Sequence, residues 1–185
     1  MRRVLLALAL PFALSSCGYN TIQRYDEQAA QAKQQIDVQL QRRADLVPNL
    51  VETVRGYAAH EEQIFTEVAR ARTSLLSANA TGDPMQQAAA NQQLTGALGR
   101  LLAIVENYPQ LKADQTFLRL QDELAGTENR IAVARQDYNN AVNTYNAYIR
   151  QFPQVITAKI TGAGAREYFN APEEAREVPK VDFSK

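Results

Sequence analysis

The sequence predicts an all-α protein, an antiparallel up-and-down four-helix bundle with long helices and an irregular C-terminal tail. Apolar residues recur at every third and fourth place through four long stretches, which is the spacing of amphipathic helices. Glycine and proline number only 8 and 7 among 185 residues, and most stand at candidate turns, in the N-terminal segment or in the last third. No strand pattern of comparable strength competes. We place the bundle at residues 22–160 and the tail at 161–185, with 171–185 expected to be partly disordered.

The first helix is predicted from about residue 22 to residue 43, and the chain is expected to reverse directly after it. Arg42 and Arg43 suit the negative C-terminal end of a helix dipole, and Asp45 suits the N-cap of a following helix. Pro48 would then fall in the first turn, where its missing N–H has no helical partner to lose. These features favour a tight hairpin. A single continuous helix kinked at Pro48 is the alternative.

The second helix, predicted from residue 46 to 78, has the clearest heptad repeat, which is the period of left-handed helix packing in coiled coils. The repeat places Tyr57 and Glu61 at inward-facing positions. The segment Ala80–Pro84 interrupts the pattern, with a glycine suited to end one helix and a proline suited to begin the next. We expect the chain to turn there.

The third helix is predicted from residue 84 to 107 and the fourth from 113 to 151, and the fourth again has a seven-residue repeat. Tyr108-Pro109 separates them, because the residue before a proline is disfavoured in a helix. After Pro153 the pattern allows a short helix to Lys159. Four helices with short connections account for every apolar stripe.

The N-terminal residues resemble a bacterial lipoprotein signal peptide. Two arginines precede an apolar run that is too short to span a bilayer, which needs about 20 residues. The run ends in Leu14-Ser15-Ser16-Cys17, which resembles the lipobox, whose cysteine is acylated and whose leader is removed. We therefore predict a signal peptide at 1–16, lipid on Cys17 and a tether at 17–21. The alternatives are an ordinary signal peptide with a chance cysteine, or a short uncleaved anchor.

The charge balance bears on partners and location. The formal net charge is +0, so the sequence does not predict nucleic acid as a partner. Without residues 1–16 the chain has 18 basic and 20 acidic residues, a net charge of −2, so lipid and not a basic patch would attach it to a membrane. Gly18, and not Asp, follows Cys17, which by resemblance to sorted lipoproteins favours the outer membrane. The body is expected to face the periplasm.

The sequence contains no recognisable catalytic or metal-binding constellation, so neither an enzyme activity nor a cofactor is predicted. His60 is the only histidine, and Ile64 stands where a zinc-protease motif beginning at His60-Glu61 would need its second histidine. The scarcity of histidine and cysteine also removes Ser-His-Asp and Cys-His mechanisms. A single cysteine excludes an intrachain disulfide. We expect His60 to lie at the surface.

Four charged residues are candidates for a site. Glu61 could be a buried carboxylate with a perturbed pKa and a functional role. The favoured interpretation is that it pairs with an arginine or a tyrosine hydroxyl and fixes the helix register. Arg42, Arg43 and Asp45 are interpreted first as helix termini, and the alternative is that these three line a ligand-binding mouth.

Tyr138-Asn139 and Tyr145-Asn146 repeat after seven residues, which puts two tyrosines and two asparagines on one face of the fourth helix. This face could form a polar and aromatic groove for a peptide or glycan strand. In the favoured interpretation the tyrosines fill the core with their hydroxyls at its edge, and the asparagines fix the register. The groove stays open as the second interpretation.

These residues are similar to the LemA family over nearly the whole mature chain. The similar segments are residues 36–61, which include Asp45-Leu46-Val47-Pro48-Asn49-Leu50, then 68–72, then 138–153, ending at Tyr168-Phe169. Gln34-Gln35 departs from the pattern, because many members carry a tryptophan there, and one packing contact of the first helix is weaker for it.

The resemblance implies a four-helix bundle beside a membrane anchor and a molecular function that is not established. Members often have a transmembrane N-terminus, for which the lipobox would be a substitute. They are also often encoded near proteins of the TPM domain class or membrane metalloproteases, which suggests a partner protein in the envelope.

We therefore predict a lipid-anchored envelope scaffold that binds another protein through a helical face. The alternative is a cell-wall-associated enzyme, or a peptide- or glycan-binding protein, that uses Glu61 with Asn139 and Asn146. A third hypothesis is a purely structural spacer, which would tolerate substitutions on every exposed face.

Overall fold

A computed structural model describes residues 18–169 of the chain. This part contains six helices and no strand, so the predicted all-α class is confirmed. Within the same residues, no helix combines the length and apolarity needed to cross a bilayer. The predicted signal peptide, Cys17 and the final tail at 171–185 lie outside the described residues. The helices are α1 Tyr19–Arg55, α2 Glu62–Thr81, α3 Pro84–Val105, α4 Pro109–Lys112, α5 Gln115–Ile149 and α6 Gln154–Thr161.

α1 continues through the predicted reversal, so the hairpin between Arg43 and Asp45 is wrong and the continuous helix through Pro48 is correct. Its buried residues lie on one side of the helix, spaced by seven from Ile22 to Ile36 and mostly by three or four from Ile36 past the proline to Val54. Arg43 lies on this side and is only 4% exposed. It is a core residue in the middle of a helix, and the sequence-based interpretation of it as a terminus is wrong. The buried apolar residues of α1 are Ile22, Ala29, Ile36, Leu40, Ala44, Val47, Leu50 and Val54.

The chain reverses later, between Arg55 and Glu62, where the sequence predicted an unbroken second helix. Gly56 is the first residue after α1, and a glycine costs about 1 kcal/mol relative to alanine inside a helix. The N–H groups of Tyr57 and Ala58 both donate to the Val54 oxygen and close the turn, at 3.0 and 2.9 Å. Tyr57 is consequently exposed, and its predicted inward position is wrong. The heptad spacing persists in the sequence across this loop, which is why the repeat alone did not show it.

The break between α2 and α3 forms as predicted. Gly82 ends α2 with a positive φ of 70°, a conformation that glycine adopts without steric cost. The Asp83 carboxylate then caps α3 by accepting from the N–H groups of Met85 and Gln86 at 2.8 and 3.4 Å. Pro84 follows as the first residue of α3. The turn therefore follows from local chemistry that the sequence displays.

α5 and α6 match the predicted fourth helix and the predicted short helix after Pro153. Asp114 precedes α5, and its carboxylate accepts from the N–H groups of Thr116 and Phe117 at 2.8 and 2.9 Å. Gly162 ends α6 with a φ of 71°. Residues 163–169 follow without regular secondary structure.

The described chain forms two compact units. The first consists of residues 18–36 and 133–168, and the second of residues 37–132 with Phe169. In the first unit, the rings of Tyr25 and Tyr148 meet edge to face with centroids 5.2 Å apart. Its core is Ile22, Tyr145, Ile149 and Ala158, with Tyr25, Tyr148 and Ala163 packed against it. The second unit contains the rest of α1, the first part of α5 and all of α2, α3 and α4.

Candidate functional site

Arg43 joins three helices in the second unit. Its guanidinium donates to Asn91 Oδ1 and to Thr95 Oγ1 on α3, at 2.5 and 3.0 Å, and forms an ion pair with Glu128 on α5. Burial lowers the pKa of the Arg43 guanidinium, and the Glu128 carboxylate opposes that shift. A buried cation that has a charged partner and hydrogen bonds avoids most of the cost of desolvation. Arg43 therefore connects α1, α3 and α5 in the interior of the second unit.

A cavity of about 270 Å³ lies beside this cluster. Its walls include Leu50, Leu98 and Leu124, and Arg43 and Glu128 supply the charged groups. The cavity is smaller than most ligand pockets, which occupy about 300–1,000 Å³. Its two charged groups are already paired with each other.

The structure does not bring Arg42, Arg43 and Asp45 together as a ligand-binding mouth. Arg43 is buried, whereas Arg42 and Asp45 are exposed. The Asp45 carboxylate accepts from Gln41 Nε2 at 2.9 Å, one helical turn earlier in α1. Its predicted role as an N-cap is therefore wrong, because no helix begins there.

A second polar group in this unit was missed by the sequence analysis. Gln87 is fully buried, and its Nε2 donates to Asp37 Oδ1 and Asn79 Oδ1 at 2.7 and 2.9 Å. The Asn79 Nδ2 group donates to the Asp37 main-chain oxygen at 3.2 Å. These bonds link α1, α2 and α3. One feature of the sequence could have indicated this buried polar group: the start of α3 is rich in alanine and glutamine and poor in large apolar residues.

Glu61 lies in the loop between α1 and α2, at the residue that precedes α2. It is half-buried, so its predicted inward position in a helix is wrong. Its Oε1 is 3.4 Å from the hydroxyl of Tyr108, which is a tyrosine partner of the kind that the structural interpretation expected. His60 beside it is exposed, as predicted.

The predicted face of α5 is assembled in the first unit, and the chain's own backbone occupies it. The Tyr138 hydroxyl donates to the Glu167 oxygen at 2.9 Å, and the Tyr145 hydroxyl donates to the Gly164 oxygen at 3.0 Å. We call Tyr138, Tyr145 and Asn146 the tail groove, and residues 164–168 the docked segment. All three groove residues are buried. Asn139, the fourth predicted member, is half-buried.

Asn146 makes the most specific contact in the tail groove. Its Nδ2 donates to the Arg166 main-chain oxygen, and its Oδ1 accepts from the Arg166 main-chain N–H, both at 2.9 Å. The side-chain amide thus pairs with one residue as a neighbouring β-strand would. The four hydrogen bonds described here between the tail groove and the docked segment all use main-chain atoms of the docked segment. The groove therefore holds the docked segment mainly by its backbone, and the Arg166 guanidinium in addition lies over the Tyr145 ring, 6.0 Å from its centroid.

One side chain of the docked segment adds an electrostatic contact. The Arg166 guanidinium donates to both carboxylate oxygens of Asp26 on α1, at 2.7 and 3.0 Å. The hydrogen bond from Arg166 lowers the pKa of the Asp26 carboxyl, and the bond to Asp26 raises the pKa of the Arg166 guanidinium. Burial, with a smaller contribution from the charge of Asp26, raises the pKa of the Tyr145 hydroxyl.

The sequence analysis missed Asp26 and Arg166, which are 140 residues apart. No periodic signal connects them, because Arg166 stands in a segment without regular structure. Chemically, the site holds a peptide backbone and one ion pair. Among residues 18–169, no three histidine, cysteine, aspartate or glutamate side chains come close enough to hold a metal ion.

These features define an all-helical protein in which a helix face with two tyrosines and an asparagine holds a segment of the chain's own backbone. The chain belongs to the LemA family, whose model matches residues 32–183. It is 32% identical over 174 residues to the magnetosome proteins MamQ 1 and MamQ 2 of Paramagnetospirillum magneticum, a match that covers 82% of this chain and 64% of each relative. It is 23% identical over 133 residues to the protein LemA of Metamycoplasma hominis, covering 72% of this chain and 60% of that protein. The chain thus spans less than two thirds of the length of these relatives.

Proposed function

We propose that this protein is a lipid-anchored bacterial envelope protein of the LemA type that acts as a non-enzymatic scaffold or interaction module. Acyl chains on Cys17 hold the body against a membrane, facing the periplasm, and in a two-membrane organism this is the outer membrane. The helices form an antiparallel four-helix bundle. One helical face binds another envelope protein.

The lipobox and the family support the anchored part of this proposal. Leu14-Ser15-Ser16 precede the cysteine that the lipobox requires, and several acyl chains give stable anchoring where one is marginal. Cys17→Ser is expected to abolish labelling by a radiolabelled or clickable acyl precursor. Labelling that persists in this variant would refute acylation at Cys17.

The use of the polar residues is the observation that carries the non-enzymatic part. Tyr145 and Asn146 hold the chain's own backbone. Arg43 is paired with Glu128 in the interior, and Glu61 faces the Tyr108 hydroxyl in a loop. A group that catalyses a reaction must reach a substrate. We infer that these side chains stabilise the fold and do not act on a substrate.

The scaffold role is tested by site-specific photocrosslinking of the acylated, full-length protein in its own membrane. A photoreactive residue is placed in turn at Arg70 on α2, Met85 on α3 and Val133 on α5, which are all exposed. A scaffold gives the same crosslinked protein from one face only, and Cys17→Ser reduces that crosslink. Crosslinks from no face at native abundance would contradict the scaffold and favour a spacer.

The competing enzyme hypothesis has its own variant. Glu61→Gln keeps the shape of the side chain and removes its ability to exchange a proton. If Glu61 is the acid or base of a reaction, the phenotype of a deletion strain is not complemented by this variant. Full complementation, with unchanged stability, removes the best candidate residue for catalysis.

The tail groove favours a second candidate function, which is binding of an extended peptide from a partner. Its four bonds go to main-chain atoms, so another strand could replace the docked segment as in strand addition. The test is amide hydrogen exchange at Arg166 in the presence of excess peptide with the sequence of residues 163–168. Faster exchange at Arg166 supports an exchangeable groove, and an unchanged rate at saturating peptide contradicts it.

A further inference from the structure

α6 and the turn before it present an exposed apolar stripe in the first unit. Phe152 and Ile160 are each 81% exposed, and Ile156 is 50% exposed. The three residues are spaced by four. Phe152 lies in the turn that precedes α6, which begins at Gln154. Residues spaced by four in a helix share one face, so Ile156 and Ile160 lie on one side of α6. We call these two residues, together with Phe152 in the preceding turn, the α6 face.

The opposite side of α6 fixes the helix to its unit. Ala158 is buried and belongs to the core that contains Ile22, Tyr145 and Ile149. α6 is therefore apolar on both sides, although only one side meets the core. Large apolar side chains that are exposed together on one surface indicate a contact with an apolar environment. The α6 face thus indicates a second apolar environment outside the unit.

The beginning of the described chain shows where that environment lies. Gly18 is buried, and a Cβ atom built on it would lie 3.2 Å from the Cγ atom of Gln154, the first residue of α6. Cys17 is bonded to Gly18, and consecutive Cα atoms are about 3.8 Å apart. The proposed lipid attachment is therefore about one residue from the first turn of α6.

The charges around the α6 face complement an anionic surface. Residues 138–166 contain no acidic residue and three basic residues, Arg150, Lys159 and Arg166. Arg166 is paired with Asp26, whereas Arg150 and Lys159 are exposed and stand near the two ends of the α6 face in sequence. The mature chain as a whole has a net charge of −2. Two exposed basic residues and no acidic residue therefore accompany the α6 face in its own stretch of the sequence.

We infer that the α6 face lies in the interface of the bilayer that the Cys17 acyl chains enter. Phe152, Ile156 and Ile160 insert at the boundary of headgroups and acyl chains, and Arg150 and Lys159 contact anionic phosphates. Amphipathic helices bury their apolar face about 5–10 Å into this region. This inference rests on the proposed lipid anchor and adds an orientation to it: the first unit lies against the membrane by a fixed surface.

The absence of tryptophan from the chain allows a direct test. Ile160→Trp and, separately, Phe152→Trp each introduce a single fluorescent reporter into the full-length acylated protein, which is reconstituted in vesicles of zwitterionic and anionic lipids. We expect brominated acyl chains to quench about half or more of the tryptophan emission. Quenching by acrylamide should be several-fold weaker in vesicles than for the same protein in detergent-free buffer without vesicles. Equal acrylamide access in both conditions, without quenching by brominated lipid, would overturn the inference.

Val133→Trp is the matched control. Val133 is an exposed apolar residue of the same unit, and 16 helical residues separate it from Ile149, which is about 24 Å along α5. We expect its emission to be insensitive to brominated lipid. Protection of Ile160→Trp that depends on protein-to-lipid ratio and not on bromination would assign the α6 face to a second copy of the chain and overturn the inference.

A Cys17→Ser background separates this inference from the anchor on which it rests. Without acyl chains, the protein carrying Ile160→Trp is titrated with the same vesicles. If the α6 face inserts into the bilayer, this protein partitions into the vesicles. Its partition coefficient then falls about tenfold when Ile156 is replaced by serine, because about one apolar side chain's transfer free energy is lost. Partition that is absent or unaffected contradicts the α6 face even where acyl labelling of Cys17 succeeds. Failed labelling with normal partition contradicts the anchor alone.

Discussion

Arg72 on α2 donates its Nε–H to the main-chain oxygen of Ala44 on α1, at 2.8 Å. That oxygen is four residues before Pro48, so in an ordinary helix the N–H of residue 48 would bond to it. Proline has no N–H and leaves the oxygen without its helical donor. Arg72 supplies the missing hydrogen bond from another helix. This contact explains how α1 runs through a proline that would otherwise end or weaken it.

The first prediction concerns this substitute donor. Arg72→Met is expected to lower the free energy of unfolding by about 1–3 kcal/mol, because a partly buried carbonyl loses a charged donor. Pro48→Ala restores an N–H to α1, so the cost of Arg72→Met should shrink in the Pro48→Ala background. Urea unfolding of the two single variants and the double variant measures this coupling.

Arg70→Met is the control for the loss of a cation from α2. Arg70 is exposed on the same helix, and such changes usually stay within about 0.5 kcal/mol. Strictly additive effects of Arg72→Met and Pro48→Ala would show that Arg72 stabilises the protein by some other contact.

The sequence contained part of this answer. Periodicity predicted the helical class and the two apolar segments of α1, because hydrophobic spacing follows from helix geometry. The join between them was predicted wrongly, because Arg43 and Pro48 in isolation favour a helix end. Their actual roles depend on Glu128 and Arg72, which lie on other helices. The spacing of residues along the sequence contains no information about those contacts.

The second prediction compares two adjacent arginines. Arg43→Met removes the guanidinium that contacts Asn91, Thr95 and Glu128. It should lower the free energy of unfolding by about 2–4 kcal/mol, which is less than for a fully buried ion pair because water can still reach Glu128. Arg42→Met changes the same charge at an exposed position and should cost less than about 0.5 kcal/mol. Thermal and urea unfolding measure both. Equal costs would contradict the burial of Arg43 as the cause.

The third prediction concerns the docked segment. Asn146→Ala removes both hydrogen bonds between the Asn146 side chain and the Arg166 main chain, so amide exchange at Arg166 should accelerate by about tenfold or more. Asn140→Ala is the control, because Asn140 is exposed on the same helix and its main-chain oxygen, which the substitution keeps, accepts from the Thr144 hydroxyl. Exchange followed by NMR or mass spectrometry gives the ratio. Similar exchange in the two variants would show that the docked segment does not depend on Asn146.

The docked segment also marks a limit of sequence reasoning. The seven-residue repeat placed Tyr138, Tyr145 and Asn146 on one face and left a groove or a core as the alternatives. The structure contains features of both, because the side chains are buried and yet bond to the backbone of the docked segment. The occupant could not be predicted, since residues 164–168 have no periodic pattern and their bonds use main-chain atoms that every sequence has.

The last prediction is a pH dependence that follows from Asp26 and Arg166. The hydrogen bond from Arg166 lowers the pKa of Asp26 in the folded protein below its usual value of 3.8. A lowered folded pKa means that the stabilisation is fully present above the unfolded pKa and is lost as the pH falls through the folded value. We therefore expect the coupling between Asp26→Asn and Arg166→Gln in a double-mutant cycle to be about 1 kcal/mol at pH 6, since both side chains are about one third exposed. The coupling should decline below about pH 4 and vanish once Asp26 is protonated in the folded protein. Urea unfolding at a series of pH values measures it, and a coupling that is constant from pH 6 down to the acid limit of folding would show that the pair acts through shape and not through charge.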